Sequence, residues 1–546
     1  MPQETTSPSA IRAEPATIPP STREEMDSAV GVLRAHADAW GAVSVAERLI
    51  LLDQIRRDTM SVAERWAALS SAGEGLDPDG PFGAEETLVG PYLLLRNIRL
   101  LRASLEDIAA GRRPTIPGPI FDRTGGRIAA RIFPFDAWDR IFYTGVDAEV
   151  WMEPGVTREN LPSTQAVAYF PGDESASTGV SLVLGAGNVS SISPMDTLYK
   201  LFVENRVVLL KMHPLNAYLG PAFARVFSCL AARGFFRVVY GGAEEGAYLS
   251  AHPGVDDLHV TGSDRTYDAI VFGTGPEGLA RKERDEPKNA KPFSSELGNV
   301  SPMIVVPGPW SEADVRYHAE SVAASITNNA GFNCNATRVV VTWAGWPLRE
   351  RFLAELRAAL SAVPCRKAYY PGALDRFATF AAAHPEMERL GKTAPVEGEL
   401  PWGLISNVSP ERKDDLCFRT EAFCSVLAET ALPASDVADF LRAAASRSTP
   451  ASEARVASQA RTSANSPSSS SRWPRRRARV SSPTSSREVG GTHVHAEALA
   501  DPLQDPHYVE PKPTLMQKAR GADLFVEVGL QLELWADKVA SGSGNP

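Results

Sequence analysis

Apolar and polar positions change their period three times along this chain. From Thr22 to about residue 110 the apolar residues recur at helical spacing. Two helix-start signals sit where such helices would begin: Thr22 with Glu25, and Ser44 with Glu47 ahead of the apolar run 49–55. The pattern predicts a mostly helical stretch over 22–110. Between 111 and 156 the runs RIAARIF, RIFYTG and AEVWMEP alternate with Gly, Asp and Pro, which predicts hairpins or an extended arm.

From 178 the text alternates strand and helix. SLVL (181–184) reads as a strand, GAGN (185–188) as a loop and 194–205 as a helix. VVLLK (207–211), FFRVVYG (235–241) and DDLHVTGS (256–263) read as further strands with helical stretches between them. These runs are apolar on both faces, the mark of an open α/β sheet covered by helices. A second alternation opens at ELGNVSPMIVVPG (296–308). It continues through a helix over 311–326, the peptide NNAGFNCNATRVVVT (328–342), a helix over 348–361 and strand-like pieces near 367–370, 402–406 and 424–428. The expected organisation is a disordered tail over 1–21, rich in Pro, Ser, Thr and Glu. A helical region and arm follow over 22–177, then α/β domains over 178–295 and 296–445. The charged, glycine-bearing segment 272–292 is expected to be a loop. After 445 the periodicity stops. Residues 446–504 are low-complexity text rich in Arg, Ser, Ala and Pro, which a linker and a shifted reading frame in a GC-rich gene both produce. Residues 505–546 recover an amphipathic run, DLFVEVGLQLELWADKV.

Bulk composition narrows the class. A chain of 546 residues exceeds one ordinary core, so two or three domains are expected. Its apolar content of 43 % and mean hydropathy of -0.17 fit a globular protein. The formal net charge of -10 disfavours a nucleic-acid binder for the chain as a whole. The basic run RWPRRRAR (472–479) has no aromatic platform beside it. Five cysteines without a CxxC pair suggest neither a disulfide framework nor a zinc knuckle, and point to the reducing cytoplasm. The first residues lack a signal peptide's basic head and apolar core. No run of about 18 apolar residues predicts a membrane span. The nine histidines show no metal-ligand spacing; His493 and His495 are close together but lack a Cys or Asp partner.

Cys334 is the residue that raises a chemical question. It lies between Gly331, which permits a tight turn, and a strand, where active groups often sit. A thiol serves as a nucleophile only when it can ionise and be reached. A lone cysteine is otherwise inert core, and Cys229, Cys365, Cys417 and Cys424 read that way.

The surrounding text carries a resemblance. AGFNCNATR is similar to the catalytic-cysteine peptide of the aldehyde dehydrogenase superfamily, GQxCxAxxR, with Phe332 and Asn333 departing at the glutamine and the next place. ELGNVSP (296–302) resembles ELGGKSP. LVLGAGN (182–188) with VVLLKMHP (207–214) resembles the first strand, the oxyanion-site asparagine and the nucleotide-binding lysine. HVTGSDRT (259–266) resembles the FTGS turn, and TEAFCSVL (420–427) resembles EEIFGPVL. The resemblance spans about 40–445. It implies an α/β fold with a Rossmann-type cofactor domain and an α/β catalytic domain, preceded by helices, with an atypical C-terminal segment. It also implies Cys334 as nucleophile, Glu296 as general base and Asn188 as oxyanion donor. Lys211, Gly262, Ser263, Glu421 and Phe423 would hold a nicotinamide cofactor, and a small-molecule aldehyde would be oxidised to the acid in a homodimer or tetramer.

Departures from that pattern shape the expectations. Asn299 and Val300 stand where the family has Gly and Lys. Pro214 stands where NAD-dependent relatives carry a ribose-binding glutamate, so NAD and NADP both fit, with His213 and Arg265 as candidate positive charges. The LGAGNV wording also resembles the acyl-CoA reductase-like branch, which makes CoA an alternative acyl acceptor. The altered text after 445 makes a catalytically impaired, non-enzymatic dehydrogenase-like protein a third alternative.

Overall fold

The computed structural model describes residues 15–448 except 78–79, 81 and 171–177. The expectations for 1–14 and for 449–546, including the low-complexity segment and the amphipathic run, lie outside the described residues. Two compact units result: 15–115 with 157–448, and 116–156.

The first unit begins with helices Arg23–Gly41 and Val45–Glu74. Both start signals work as read. The Thr22 hydroxyl accepts from the Glu25 N–H while Glu25 returns a bond to the Thr22 N–H, and the Ser44 hydroxyl accepts from the Glu47 N–H at 3.2 Å. The helix Leu93–Ala109 completes this region. Trp40 seals it to the neighbouring sheet layer, its ring 5.5 Å from Phe202 and 5.1 Å from Phe235.

The unit 116–156 holds an antiparallel sheet of β1 (Ile120–Arg123), β2 (Arg127–Phe133) and β3 (Ala148–Trp151), in that order. Two glycines with positive φ, Gly125 (74°) and Gly126 (69°), turn β1 into β2.

A five-stranded parallel sheet follows in the first unit. Its strands are β4 (Val180–Leu184), β5 (Val207–Lys211), β6 (Phe236–Val239), β7 (Asp257–Gly262) and β8 (Phe293–Leu297), ordered β6-β5-β4-β7-β8. All residues of β4 and β5 are buried, as apolar runs covered on both faces require. Glu296 pairs with Thr261 inside this sheet, so the expected domain boundary at 295/296 falls within a strand.

The segment 272–292 departs from expectation: Gly275–Glu283 is a helix. Pro276 occupies its first turn, Glu277 pairs with Arg281 one turn later at 2.6 Å, and Arg281 and Lys282 sit at its C-terminal end. Glycine and charge density, read as loop signals, here mark a solvated helix.

The second sheet comprises β9 (Pro302–Ile304), β10 (Val339–Trp343), β12 (Glu388–Leu390), β14 (Trp402–Ile405) and β15 (Val426–Leu432), ordered β12-β14-β15-β10-β9, with only β12 antiparallel to its neighbour. A short antiparallel pair, β11 (Arg366–Lys367) with β13 (Glu399–Leu400), stands beside it. Val339 and Val341 pack with Phe377, Ile405 and Phe440 on one face. Val340 packs with Phe352, Leu404 and Leu427 on the other. The strand's period of two thus splits the second core into two layers. Among the described residues no helix is long and apolar enough to cross a membrane.

Candidate active site

Parallel register gathers the strand ends that matter. Leu184 pairs with Lys211, and Gly262 pairs with Leu297, so Lys211, Gly262 and Glu296 reach one edge of the first sheet. Open α/β sheets bind ligands outside such carboxyl ends. A cavity of about 2420 Å³ opens there, and its wall includes Asn188, Lys211, Gly262, Ser263, Glu296, Cys334, Glu421 and Phe423. Residues spread over more than two hundred positions therefore share one space.

The backbone before Cys334 is strained. Asn329, Ala330 and Gly331 all have positive φ, at 51°, 50° and 81°. Two of these are not glycine, and such residues persist only where neighbours hold them. Glu85 accepts the Asn329 backbone N–H, accepts from Asn328 Nδ2 at 3.1 Å, and is itself paired with Arg366 at 2.8 Å. At Gly331 a side chain would press on the Cys424 carbonyl oxygen at 2.8 Å. Arg338, 4 % exposed, donates to the carbonyls of Gly331, Asn333 and Cys424. Asn299 Nδ2 and Ser301 Oγ donate to the Cys334 carbonyl at 3.1 and 3.3 Å. The asparagine at a family-variant position therefore helps fix the cysteine loop.

Asn188 binds the same loop from the other sheet. Its Nδ2 donates to the Phe332 carbonyl at 2.8 Å. Its own carbonyl accepts from Asn329 Nδ2 at 2.7 Å and from the Tyr369 hydroxyl at 3.2 Å. A primary amide carries two N–H donors, so one remains for a ligand.

The Cys334 thiol is half-buried. Burial raises its pKa above the usual thiol value, and the charges of Glu296 and Glu421 raise it further. The N–H groups of Cys334 and Asn335 oppose this. The resting sulfur is therefore protonated at neutral pH and needs a base to become a nucleophile.

Glu421 lies opposite Gly298, where any side chain would overlap its carboxylate. Its Oε1 is buried and accepts from no described residue, and burial raises its pKa. Phe423 has φ of 40°, and Arg376 holds this bend by donating to the carbonyls of Ala422 (3.0 Å) and Phe423 (2.9 Å). The Phe423 ring stands edge-on to Tyr370 at 4.9 Å.

On the other side, Lys211 is 7 % exposed. Burial pulls its pKa down to about 8, against the pull of Glu245. Ser263 caps the helix Asp264–Val271 through the Thr266 N–H at 3.2 Å, with Gly262 exposed just before it. Gly262 and Ser263 both lie on the cavity wall. His213 overturns one expectation. Its Nδ1 accepts from the Leu215 N–H at 3.1 Å, and burial with nearby Lys211 pushes its pKa down to about 4. It is neutral at pH 7 and adds no positive charge; Arg265 remains as an exposed cation on the cavity wall.

The residues that sequence reasoning missed are supports: Glu85, Asn329, Arg366, Tyr369 and Arg376. Only the tandem asparagines of NNAG signalled anything, since asparagine tolerates positive φ.

A sequence model described as "Aldehyde dehydrogenase family" matches residues 159–373. Residues 485–546, outside the described part, match one described as "Zinc-uptake complex component A periplasmic". The chain is 28 % identical over 181 residues to an N-succinylglutamate 5-semialdehyde dehydrogenase of Sphingopyxis alaskensis, covering 33 % of this chain and 34 % of that one. The matched stretch thus spans about a third of this curated relative's length. Two solved structures share the fold. One is a Mycobacterium tuberculosis aldehyde dehydrogenase complexed with NAD+, with TM-score 0.54, 16 % identity and coverage of 79 % and 80 %. The other is an NADP-dependent glyceraldehyde-3-phosphate dehydrogenase from Bacillus halodurans C-125 complexed with NADP, with TM-score 0.51, 16 % identity and coverage of 78 % and 76 %.

Proposed function

We propose that this chain is an aldehyde dehydrogenase, in line with the family model matched over 159–373 and the shared fold, and that it oxidises an aldehyde to a carboxylic acid with NAD+ or NADP+. One observation carries the reading: Cys334, Glu296 and Asn188, from three separate segments, line one cavity with Lys211, Gly262 and Glu421.

The cavity suits a dinucleotide in its donor set. Lys211 offers a cation, the turn at Gly262 and Ser263 brings backbone to the phosphates, and Glu421 Oε1 is a buried acceptor awaiting a hydroxyl donor. Pro214 and Arg265 leave room for a 2′-phosphate, so both dinucleotides fit. Bound there, the nicotinamide supplies the hydride acceptor.

The protein's own residues do the rest. Glu296 takes the Cys334 proton, and the thiolate attacks the aldehyde carbon to give a thiohemiacetal. The second Asn188 N–H and the Cys334 N–H stabilise the oxyanion. After hydride loss the acyl group stays on Cys334 as a thioester. Glu296 gives the thiol proton up to solvent and then takes one from water; the resulting hydroxide attacks the thioester, the acid leaves, and the expelled Cys334 thiolate regains a proton from Glu296. A carboxylate facing the thiol from β8 favours water over CoA as the acyl acceptor. Five free cysteines suit a reducing, cytoplasmic setting.

The test is a reduced-cofactor assay on the full chain with a panel of aldehydes, NAD+ or NADP+, and with or without CoA. Turnover without CoA that vanishes in Cys334→Ala is expected. A strict requirement for CoA, or turnover surviving in Cys334→Ala, would overturn the reading.

A further inference from the structure

A second chemical cluster lies apart from the residues assigned to catalysis. The chain passes through His384, just after the helix Ala373–Ala383, and returns at Asp415, which caps the helix Leu416–Arg419. His384 and Cys417 are each 3 % exposed, and the Asp415 side chain is nearly as buried. His384 Nε2 lies 3.0 Å from Asp415 Oδ1 and 3.5 Å from Cys417 Sγ. One donor atom from each of the three residues falls within a sphere of contacts no wider than 4.8 Å. We propose that His384, Asp415 and Cys417 form a binding site for a zinc-type divalent metal ion.

Three features carry the assignment. Zinc bonds of about 2.3 Å to sulfur and about 2.0–2.1 Å to nitrogen or oxygen give tetrahedral edges of about 3.3–3.6 Å, close to the 3.0 Å and 3.5 Å from His384 Nε2 to the Asp415 oxygen and the Cys417 sulfur. A carboxylate oxygen and a sulfur both converge on one ring nitrogen. Without an ion, the ring nitrogen and the Cys417 thiol share the Asp415 carboxylate through their protons; a cation in their place bonds all three. On the far side of the ring, His384 Nδ1 meets Glu386 Oε1 at 2.9 Å. A carboxylate in that place holds the Nδ1 proton and leaves the Nε2 lone pair for a metal.

Binding is a simple exchange. Cys417 coordinates as thiolate and its proton leaves to water. His384 keeps its Nδ1 proton on Glu386, and Asp415 coordinates through Oδ1. A water completes the fourth position. The ion would tie the Ala373–Ala383 helix end to the helix Leu416–Arg419, two residues before Glu421. Its function is thus to anchor the peptide carrying Glu421 and Phe423.

Cobalt titration of the purified full chain tests this. Cobalt reports a thiolate ligand through a near-ultraviolet charge-transfer band, which histidines such as His493 and His495 do not produce. The expected result is one equivalent of band-forming cobalt, displaced by zinc, retained in Cys334→Ser and lost in Cys417→Ser. Glu386→Gln, a change at an exposed carboxylate, should weaken zinc binding about 10–100-fold while leaving the apo melting temperature unchanged. No band in the unmodified chain, or a band persisting in Cys417→Ser, would overturn the site. So would unchanged zinc affinity in Glu386→Gln.

Discussion

Asn188 Nδ2 donates to the Phe332 carbonyl at 2.8 Å, a bond between the loop after β4 and the peptide that carries Cys334. One amide thereby braces the cysteine loop with one N–H, and the proposed mechanism assigns the other to the reacting oxygen. Asn188→Ala removes both contributions. A fall in kcat of about 10²–10³ is expected, the usual cost of one oxyanion donor. Steady-state kinetics beside a circular dichroism spectrum would check it; kcat within a few-fold of the parent would exclude the oxyanion role.

Cys334 is held protonated by burial and by the charges of Glu296 and Glu421. Glu296→Gln removes one negative charge, which favours the thiolate and lowers the thiol pKa. The pH profile of Cys334 alkylation should therefore move to lower pH in the variant. Acid production should nevertheless fall about 10²–10⁴-fold, because the general base is gone. An alkylation profile displaced upward would contradict the electrostatic account.

Lys211 has a pKa of about 8, set by burial. It is cationic below that value and loses its charge as pH rises through it. Dinucleotide affinity should weaken about tenfold between pH 7 and 9.5, the worth of one charge-assisted bond of about 1.5 kcal/mol. Lys211→Met should bind weakly at every pH with a flat profile. Calorimetric titrations that find the same slope in both proteins would remove Lys211 from the phosphate site.

Glu85 and Arg366 form a buried pair at 2.8 Å, and Glu85 also holds the Asn329 N–H. Glu85→Ala leaves a buried guanidinium unpaired and frees a strained loop. A loss of about 3–5 kcal/mol in unfolding free energy is expected. Denaturant titration measures it; a change below about 1 kcal/mol would mean that the loop is held by other contacts.

The candidate site was largely legible because its chemistry is concentrated in short contiguous peptides. Cys334, Glu296, Lys211, Gly262 and Glu421 each stand in a recognisable local text, at the end of a strand that the apolar runs announce. The α/β alternation and the capped helices were equally local, since helix starts and buried strands depend on near neighbours. Segment 272–292 shows the limit of that logic. Gly275 opens the helix Gly275–Glu283, and within it Gly278 packs where a side chain would meet the Gly273 carbonyl oxygen at 2.2 Å.

The tertiary structure decided what depends on distant partners. Glu85 reaches Asn329 across 244 positions, and Arg376 reaches Phe423 across 47. No spacing rule links such pairs, because the chain between them folds into other elements. Charge states belong to the same class: His213 reads as a cation in the sequence and is neutral in place, since burial and Lys211 disfavour its protonation. His384, Asp415 and Cys417 show no ligand spacing in the text, yet two helix ends bring them together. Sequence nominated the candidate groups; only three-dimensional packing set their protonation, their strain and the supports that hold them.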